Sequence, residues 1–290
     1  MILQQSLNAL QLGSIYALIA LGYTLVYGVL RLINFAHGDV FMVGSYAALF
    51  LATYFHLPLP VILPLTFVAI AFLGVLIERL AYKPLRAAPR VSAVITALAV
   101  GIFLETITLA VVGPEPKSFP SLMTMTVFTL GPFTTTNIQL VIITVSIALM
   151  IVTDRFVEKT RTGMAMRALS WDKTYAPLLG IDVDRIVSIT FALGAGLASV
   201  AGIFVGLAYP VIDPYMGIMV GWKAFVSAVV GGIGSIKGAV IGGFFLGIVE
   251  ILSAAFLPST LKDLIVFGLL LLILLIKPQG LFASPVQKKV

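Results

Sequence analysis

The feature that most constrains this chain is a succession of long, almost uncharged apolar runs, near 7–29, 39–55, 61–80, 92–112, 137–153, 186–208, 219–234, 238–257 and 261–276. About 20 apolar residues make a helix long enough to cross the hydrocarbon core of a bilayer, and in lipid every backbone polar group must be satisfied inside the segment. The runs recur through 290 residues, of which 60% are hydrophobic and 10% charged. A soluble domain carries about 25% charged residues to face water. A mean hydropathy of +1.12 agrees with burial in lipid. The expected fold is therefore all-α: a polytopic transmembrane helical bundle of about eight or nine spans, with broken or re-entrant helices where a run is short. Residues 1–290 read as a single membrane domain.

Charge sets the orientation. Arg79, Lys83, Arg86 and Arg90 follow the third run; Arg155, Lys159, Arg161, Arg167, Lys173 and Arg185 separate the fifth from the sixth; Lys277, Lys288 and Lys289 follow the last. The positive-inside rule makes these segments cytoplasmic. Tyr54–Pro60, Gly113–Asn137 (with only Glu115 and Lys117 charged) and Tyr209–Gly221 (with only Asp213) then fall outside. The first run leaves two topologies open: a full crossing puts the N-terminus outside, a re-entrant segment puts it inside. Met1–Leu30 bears no charge, lacks the basic region of a cleavable signal peptide and reads as a retained segment. The net charge of +6 and pI near 9.5 are then a property of cytoplasmic loops, and no nucleic-acid partner is expected.

Several chemistries are excluded. With no cysteine and only His37 and His56, there is no disulfide framework, thiol nucleophile or multi-histidine metal site. No GxxxxGK[ST] or GxSxG segment occurs, so a nucleotide site of the P-loop kind and a hydrolase nucleophile elbow are absent. The chain is expected to be a transport subunit rather than an enzyme, with no cofactor or metal of its own and with its energy drawn from a gradient or a partner.

Polar groups inside apolar runs mark candidate paths. Asn34, His37 and Asp39 sit at the start of the second run, Glu105 lies in the fourth and Glu250 in the eighth. Lys223 falls near an outer end, from which it could snorkel. Pairing within the bundle is the plainer reading for Glu250 and Lys223. Gly231, Gly232, Gly234 and Ser235 interrupt the seventh and eighth runs; the interruption is either a break between half-helices facing a cavity or a tight turn at the membrane edge. Ala198, Gly202 and Gly206, then Gly234, Gly238 and Gly242, then Gly243 and Gly247, recur one helical turn apart. That spacing serves close helix packing, which explains all of them; the functional alternative is that the closely packed helices line and gate a path.

The loop 154–185 mixes charge with apolar residues at helical spacing: Met164, Arg167, Ala168, Trp171 and Tyr175. Ser170 or Asp172 could cap a short helix there and Gly180 could end one. An amphipathic helix in this position either lies on the lipid surface or docks into a cytoplasmic partner, with Trp171 as anchor.

Four stretches carry a resemblance. Leu32-Ile33-Asn34-Phe35-Ala36-His37-Gly38-Asp39-Val40-Phe41-Met42-Val43-Gly44-Ser45-Tyr46 is very similar to the signature of bacterial branched-chain amino-acid ABC permeases of the LivH type. Glu78 to Arg86, Arg167 to Ile181, and Val229 to Ser235 match the same family in order. The resemblance implies a subunit of the bacterial cytoplasmic (inner) membrane that passes hydrophobic amino acids inward by alternating access. It implies a second related permease subunit, two cytoplasmic ATPases that use the ATP, and an extracytoplasmic solute-binding protein. It also makes the loop carrying Arg167, Ala168, Ser170, Trp171, Asp172 and Gly180 the coupling element. From the residues themselves, the substrate path is expected near two irregular sites: the polar groups Asn34, His37 and Asp39 at a span start, and the glycine-rich break at Gly231, Gly232, Gly234 and Ser235. Glu105 stands where the family leads one to expect an amide, and Pro177 where it leads one to expect another residue. Related permeases for urea, short amides or other amino acids share this framework; a gradient-driven transporter and a membrane scaffold are the more distant alternatives.

Overall fold

The fold was obtained as a computed structural model, in which residues 2–86, 88–130 and 133–282 are described. It is helical throughout its apolar runs. The order is α1 (Ile2–Leu30), α2 (His37–Phe55), α3 (Leu59–Ile77), α4 (Arg90–Val112), β1 (Lys117–Ser118), β2 (Val127–Leu130), β3 (Phe133–Thr136), α5 (Asn137–Lys159), α6 (Arg161–Trp171), α7 (Val183–Ala208), β4 (Val211–Ile212), α8 (Met216–Gly231), α9 (Ile236–Phe256) and α10 (Lys262–Ile276). Each apolar run has its helix, and α6 is the helix of the basic loop. Seven helices are long and apolar enough to cross a membrane, and α8 is a shorter apolar helix. At 16 and 15 residues, α8 and α10 reach about 24 and 22 Å, less than the hydrocarbon thickness. Lys288 and Lys289 lie outside the described residues.

The open question about the first run is resolved by its two ends. Gln4 and Thr134 exchange two hydrogen bonds, of 2.8 and 3.1 Å, which tie the start of α1 to the β2–β3 hairpin. At the other end, Arg31 Nη2 donates to the Ser170 carbonyl at 3.3 Å. Helix α1 thus runs from the hairpin end of the bundle to the end where the basic loops gather. Its 29 residues extend roughly 43 Å, a full crossing. The same basic end collects Lys83 and Arg86 with Asp184, and Lys237 with Glu158 at 3.1 Å. The opposite end carries β1 paired antiparallel with β4 and β2 with β3.

Helix α1 is the axis of the bundle: Ile15 and the run Ala17–Leu21 are fully buried. It achieves this through small residues rather than through an amphipathic stripe. A Cβ on Gly247 of α9 would stand 2.5 Å from the Gly13 Cα, and one on Gly243 would overlap the Ala17 backbone. The pairings 13 with 247 and 17 with 243 describe two antiparallel helices in backbone contact, the arrangement that close-packed membrane helices favour. Likewise a Cβ on Gly202 of α7 would overlap the Phe41 carbonyl of α2, and one on Gly206 would meet the Phe119 ring at 2.6 Å. Packing accounts for these glycines.

Candidate functional site

Between α1 and α2 the chain leaves helical geometry. Arg31 adopts a positive φ of 53°, and Leu32 to Phe35 run without helical structure before α2 begins at His37. This segment returns into the bundle. A Cβ on Gly22, eight residues back from the end of α1, would overlap the His37 imidazole, and the Tyr23 ring lies 4.6 Å from it. Gly38 packs in turn against the backbone of Gly217 and Gly221 on α8.

Asp39 therefore projects toward α4, and a Cβ on Gly101 would overlap its carboxylate. Gly101 is at the centre of α4, eleven residues from either end, so the carboxylate stands near the middle of a membrane-spanning helix. There it is a neighbour of Glu105, which lines the same cavity. The two acids line a cavity of about 110 Å³ with Tyr23, Phe35, Gly217 and Trp222. Phe35, Trp222 and Phe225 form an aromatic wall with centroid separations of 5.5 to 6.2 Å. Among the described residues no ion pair joins Asp39 or Glu105 to a cation. The sequence singled out both acids but gave no sign that they meet.

Asn34 and His37 stand beside this cavity. The Tyr82 hydroxyl donates to Asn34 Oδ1 at 2.8 Å in a buried setting. Tyr82 belongs to a five-residue π-helical turn, Glu78–Tyr82, which continues α3. In the same turn the buried Glu78 carboxylate accepts from the Ser188 hydroxyl at 2.7 Å and pairs with Arg86. None of these partners was evident from sequence.

Lys223 and Glu250 belong to a different cluster. Lys223 is 5% exposed; its Nζ lies 2.7 Å from Glu250 and 2.8 Å from Asp263, and the Tyr16 hydroxyl donates to the other Glu250 oxygen at 2.7 Å. Lys223 does not snorkel, because α8 begins inside the bundle against Gly38 and its lysine faces α9. Pairing within the bundle is the observed answer for both residues.

The glycine interruption is a tight turn. Helix α8 ends at Gly231, Gly232 and Gly234 take positive φ values of 107° and 96°, and the Ser235 hydroxyl caps α9 by accepting from Gly238 N–H at 3.1 Å. A Cβ on Gly242 would overlap the Ser227 carbonyl, and one on Gly231 would overlap that of Gly238. The helices fold back on each other as an antiparallel hairpin at the basic end instead of meeting end to end as half-helices. The backbone of the turn also receives the chain's last described residues, since Leu281 N–H donates to the Val230 carbonyl at 2.8 Å and Phe282 N–H to that of Gly231 at 3.1 Å.

In the basic loop the helix starts earlier than Ser170 or Asp172 could cap it. Thr160 is the N-cap of α6, accepting from Gly163 N–H at 3.0 Å, because its hydroxyl directly precedes the helical spacing. Ser170 lies within the helix and donates to the Arg167 carbonyl at 2.7 Å. Asp172 caps the following turn, accepting from Thr174 N–H at 2.8 Å. Gly180, at φ 76°, ends the short 3-10 helix Ala176–Leu179. Gly163, Met166 and Leu169 face the bundle and Arg167 donates to the Val157 carbonyl. Ala168 is half-buried. Met164, Trp171, Tyr175, Leu178 and Leu179 face outward, Trp171 at 66% exposure.

A family model described as branched-chain amino acid transport system / permease component matches residues 5–275. Over 301 residues the chain is 42% identical to the high-affinity branched-chain amino acid transport system permease protein LivH of Salmonella typhimurium, covering 99% of this chain and 97% of that relative. The corresponding LivH of Escherichia coli K12 is 42% identical over 302 residues with the same coverage. The permease protein BraD of Pseudomonas aeruginosa is 39% identical over 301 residues, covering 99% of this chain and 98% of the relative. No solved structure matches the chain. With a multi-pass helical bundle, a family match along nearly the whole chain and identity of this order over its full length, the chain belongs to the family of permease components of branched-chain amino acid transport systems.

Proposed function

We propose that the chain forms one half of the membrane path of an ATP-driven importer for branched-chain amino acids in the bacterial inner membrane. The observation that carries this reading is the end-to-end similarity to the LivH and BraD permease proteins. The chain acts as a single membrane domain whose loop 154–185 reaches the energy source. Its partners are a second related permease subunit, two cytoplasmic ATPases and an extracytoplasmic solute-binding protein, which sets most of the specificity. ATP is used on the ATPases and the chain itself holds no cofactor.

The geometry supports a path along the Asp39 cavity. Asp39 and Glu105 offer carboxylate oxygens to the ammonium of a zwitterion, and Phe35 and Trp222 offer apolar surface to a branched side chain. Asn34 and His37 order the approach to this cavity. Gly231, Gly232, Gly234 and Ser235 stand at the far end of α8 and form the exit side of the path. The outward face of α6 and the following turn is apolar over Trp171, Tyr175, Leu178 and Leu179, and an exposed apolar patch on a cytoplasmic loop is the mark of a protein contact. Arg167, Ala168, Ser170 and Asp172 hold that face in place, and Gly180 ends it.

The test is uptake of labelled leucine into vesicles that hold the full complex, with isoleucine, valine, urea and short amides as competitors. ATP-dependent uptake that isoleucine and valine compete for, and urea does not, is the expected result. Uptake that proceeds without ATP, or that only urea or amides compete for, overturns the reading.

A further inference from the structure

We infer that Asn34 and Tyr82 are positioning residues: their buried hydrogen bond holds the start of α2, and with it the Asp39 cavity, in register with the basic loop. The inference rests on the importer reading above, since it concerns how motion from an ATPase reaches the path.

The connection begins at α6. Two bonds join that region to the end of α1: Lys173 Nζ donates to the Leu30 carbonyl and Arg31 Nη2 to the Ser170 carbonyl. Leu30 is the last residue of α1, and six residues further on Ala36 precedes α2. The Leu32–Phe35 segment lacks helical structure. A displacement of α6 therefore acts on a short, irregular stretch of chain whose other end carries His37, Gly38 and Asp39.

Such a stretch transmits motion in a defined direction only if something fixes it along its length. Asn34 is 4% exposed, and its side-chain oxygen is held by Tyr82 at 2.8 Å. Tyr82 is itself anchored on a second rigid body. Its ring packs on Phe191 of α7 at 5.0 Å. Its π-helical turn is pinned to α7 through Glu78 with Ser188 and, beyond the turn, through Arg86 and Lys83 with Asp184. The Asn34–Tyr82 bond thus fastens the irregular segment to the α3–α7 pair at a point between the α6 ties and the cavity. It is a pivot: the end at Leu30 follows α6, and the end at Asp39 turns against α4 and α8. A π-helical turn adds a residue to the helix and recurs at functional sites.

The experiment uses the assembled complex in vesicles and compares Tyr82→Phe, Asn34→Leu and the double variant with the unaltered protein. Uptake per ATP hydrolysed is measured alongside recovery of the complex. A cysteine at Ile218, in the cavity wall, reports reagent access with and without bound ATP, since the chain has no other cysteine. Tyr82→Phe removes one hydroxyl and keeps the ring on Phe191. The expected result is a roughly 3- to 10-fold fall in uptake per ATP, the scale of one lost buried hydrogen bond, and loss of the ATP-dependent change in reagent access. A merely structural pair is recognised by the double variant, because replacing both polar partners with apolar groups removes the unsatisfied atom. The double variant is expected to assemble normally and stay poorly coupled. Full coupling in Tyr82→Phe, or its recovery in the double variant, overturns the inference. If the unaltered complex takes up leucine without ATP, the importer reading fails before any variant is compared and the inference falls with it.

Discussion

Lys223 Nζ stands 2.7 Å from Glu250 Oε1 in the interior of the bundle, with Asp263 on its other side at 2.8 Å and the Tyr16 hydroxyl completing the shell of the carboxylate. One lysine thus faces two carboxylates, and Lys262 Nζ approaches Glu250 at 3.9 Å to bring the count to two positive and two negative charges; Tyr16, Lys223, Glu250 and Asp263 lie on four different helices, α1, α8, α9 and α10. Removing one member leaves an uncompensated charge in a low-dielectric setting, which costs about 3–5 kcal/mol. Lys223→Met should therefore lower the thermal stability of the purified complex and the amount recovered from membranes. Adding Glu250→Gln should restore a large part of the loss, because Gln remains an acceptor for Tyr16 without bringing a charge. Equal stability of Lys223→Met and the unaltered protein would show the pair to be dispensable.

Gly247 faces the Gly13 backbone so closely that any side chain must push α9 off α1. Overpacking commonly costs about 1–3 kcal/mol, and here the obstacle is main chain, which cannot rotate away. Gly247→Val should sharply reduce folded protein. Gly268 of α10 has nothing within 4 Å of a built Cβ, so Gly268→Ala should be tolerated. Comparing detergent-solubilised yields and melting curves of the two variants checks the contrast; similar behaviour in both would remove the argument for backbone contact between α1 and α9.

The helices themselves were legible in the chain because lipid imposes one requirement, length of apolar sequence, that reads directly from residue order. The gathering of the basic residues at one end of the bundle was legible for a similar reason, since Arg and Lys sit in loops. What joins the helices was not. A helix buried on all sides, such as α1 with Ile15 and Ala17–Leu21 fully enclosed, has no polar stripe to announce its neighbours. The contacts that build the candidate site span long separations: Tyr82 with Asn34 across 48 residues and Ser188 with Glu78 across 110. Nothing local in Asn34 specifies a tyrosine in a π-helical turn. For Lys223 the paired reading was legible but its place was not: its position in the apolar run suggested an outer end, whereas the entry of α8 against Gly38 carries it inward to Glu250. The glycine turn at 231–235 was equally open from its residues and is decided by the antiparallel packing of α8 on α9.

The two ends of the bundle should be distinguishable from outside the cell. Ser118 lies exposed on β1 and Arg161 exposed at the start of α6, at opposite ends. With no native cysteine, single cysteines at these positions report cleanly. A thiol reagent that cannot cross membranes should label Ser118→Cys on intact cells and Arg161→Cys only after permeabilisation. The reverse pattern would invert the assignment of the basic end to the cytoplasm.

Trp171 is the last residue of α6 and is exposed together with Tyr175, Leu178 and Leu179. The opposite face of the helix is fixed by Gly163, Met166 and Leu169, so removing the indole leaves the fold of this chain intact. Truncating an aromatic anchor at the centre of a protein interface costs about 2 kcal/mol or more, roughly a 30-fold loss of affinity. Trp171→Ala should accordingly reduce the ATPase recovered with the permease or lower uptake per ATP, with membrane insertion unchanged. Trp171→Phe, which retains an aromatic surface, should lie between the two. A helix that merely rests on the lipid surface requires a different outcome: its indole contributes membrane contact only, and ATPase recovery and uptake per ATP would be the same in all three proteins. Measuring recovery, ATP turnover and uptake on one preparation separates the docked helix from the lipid-bound one.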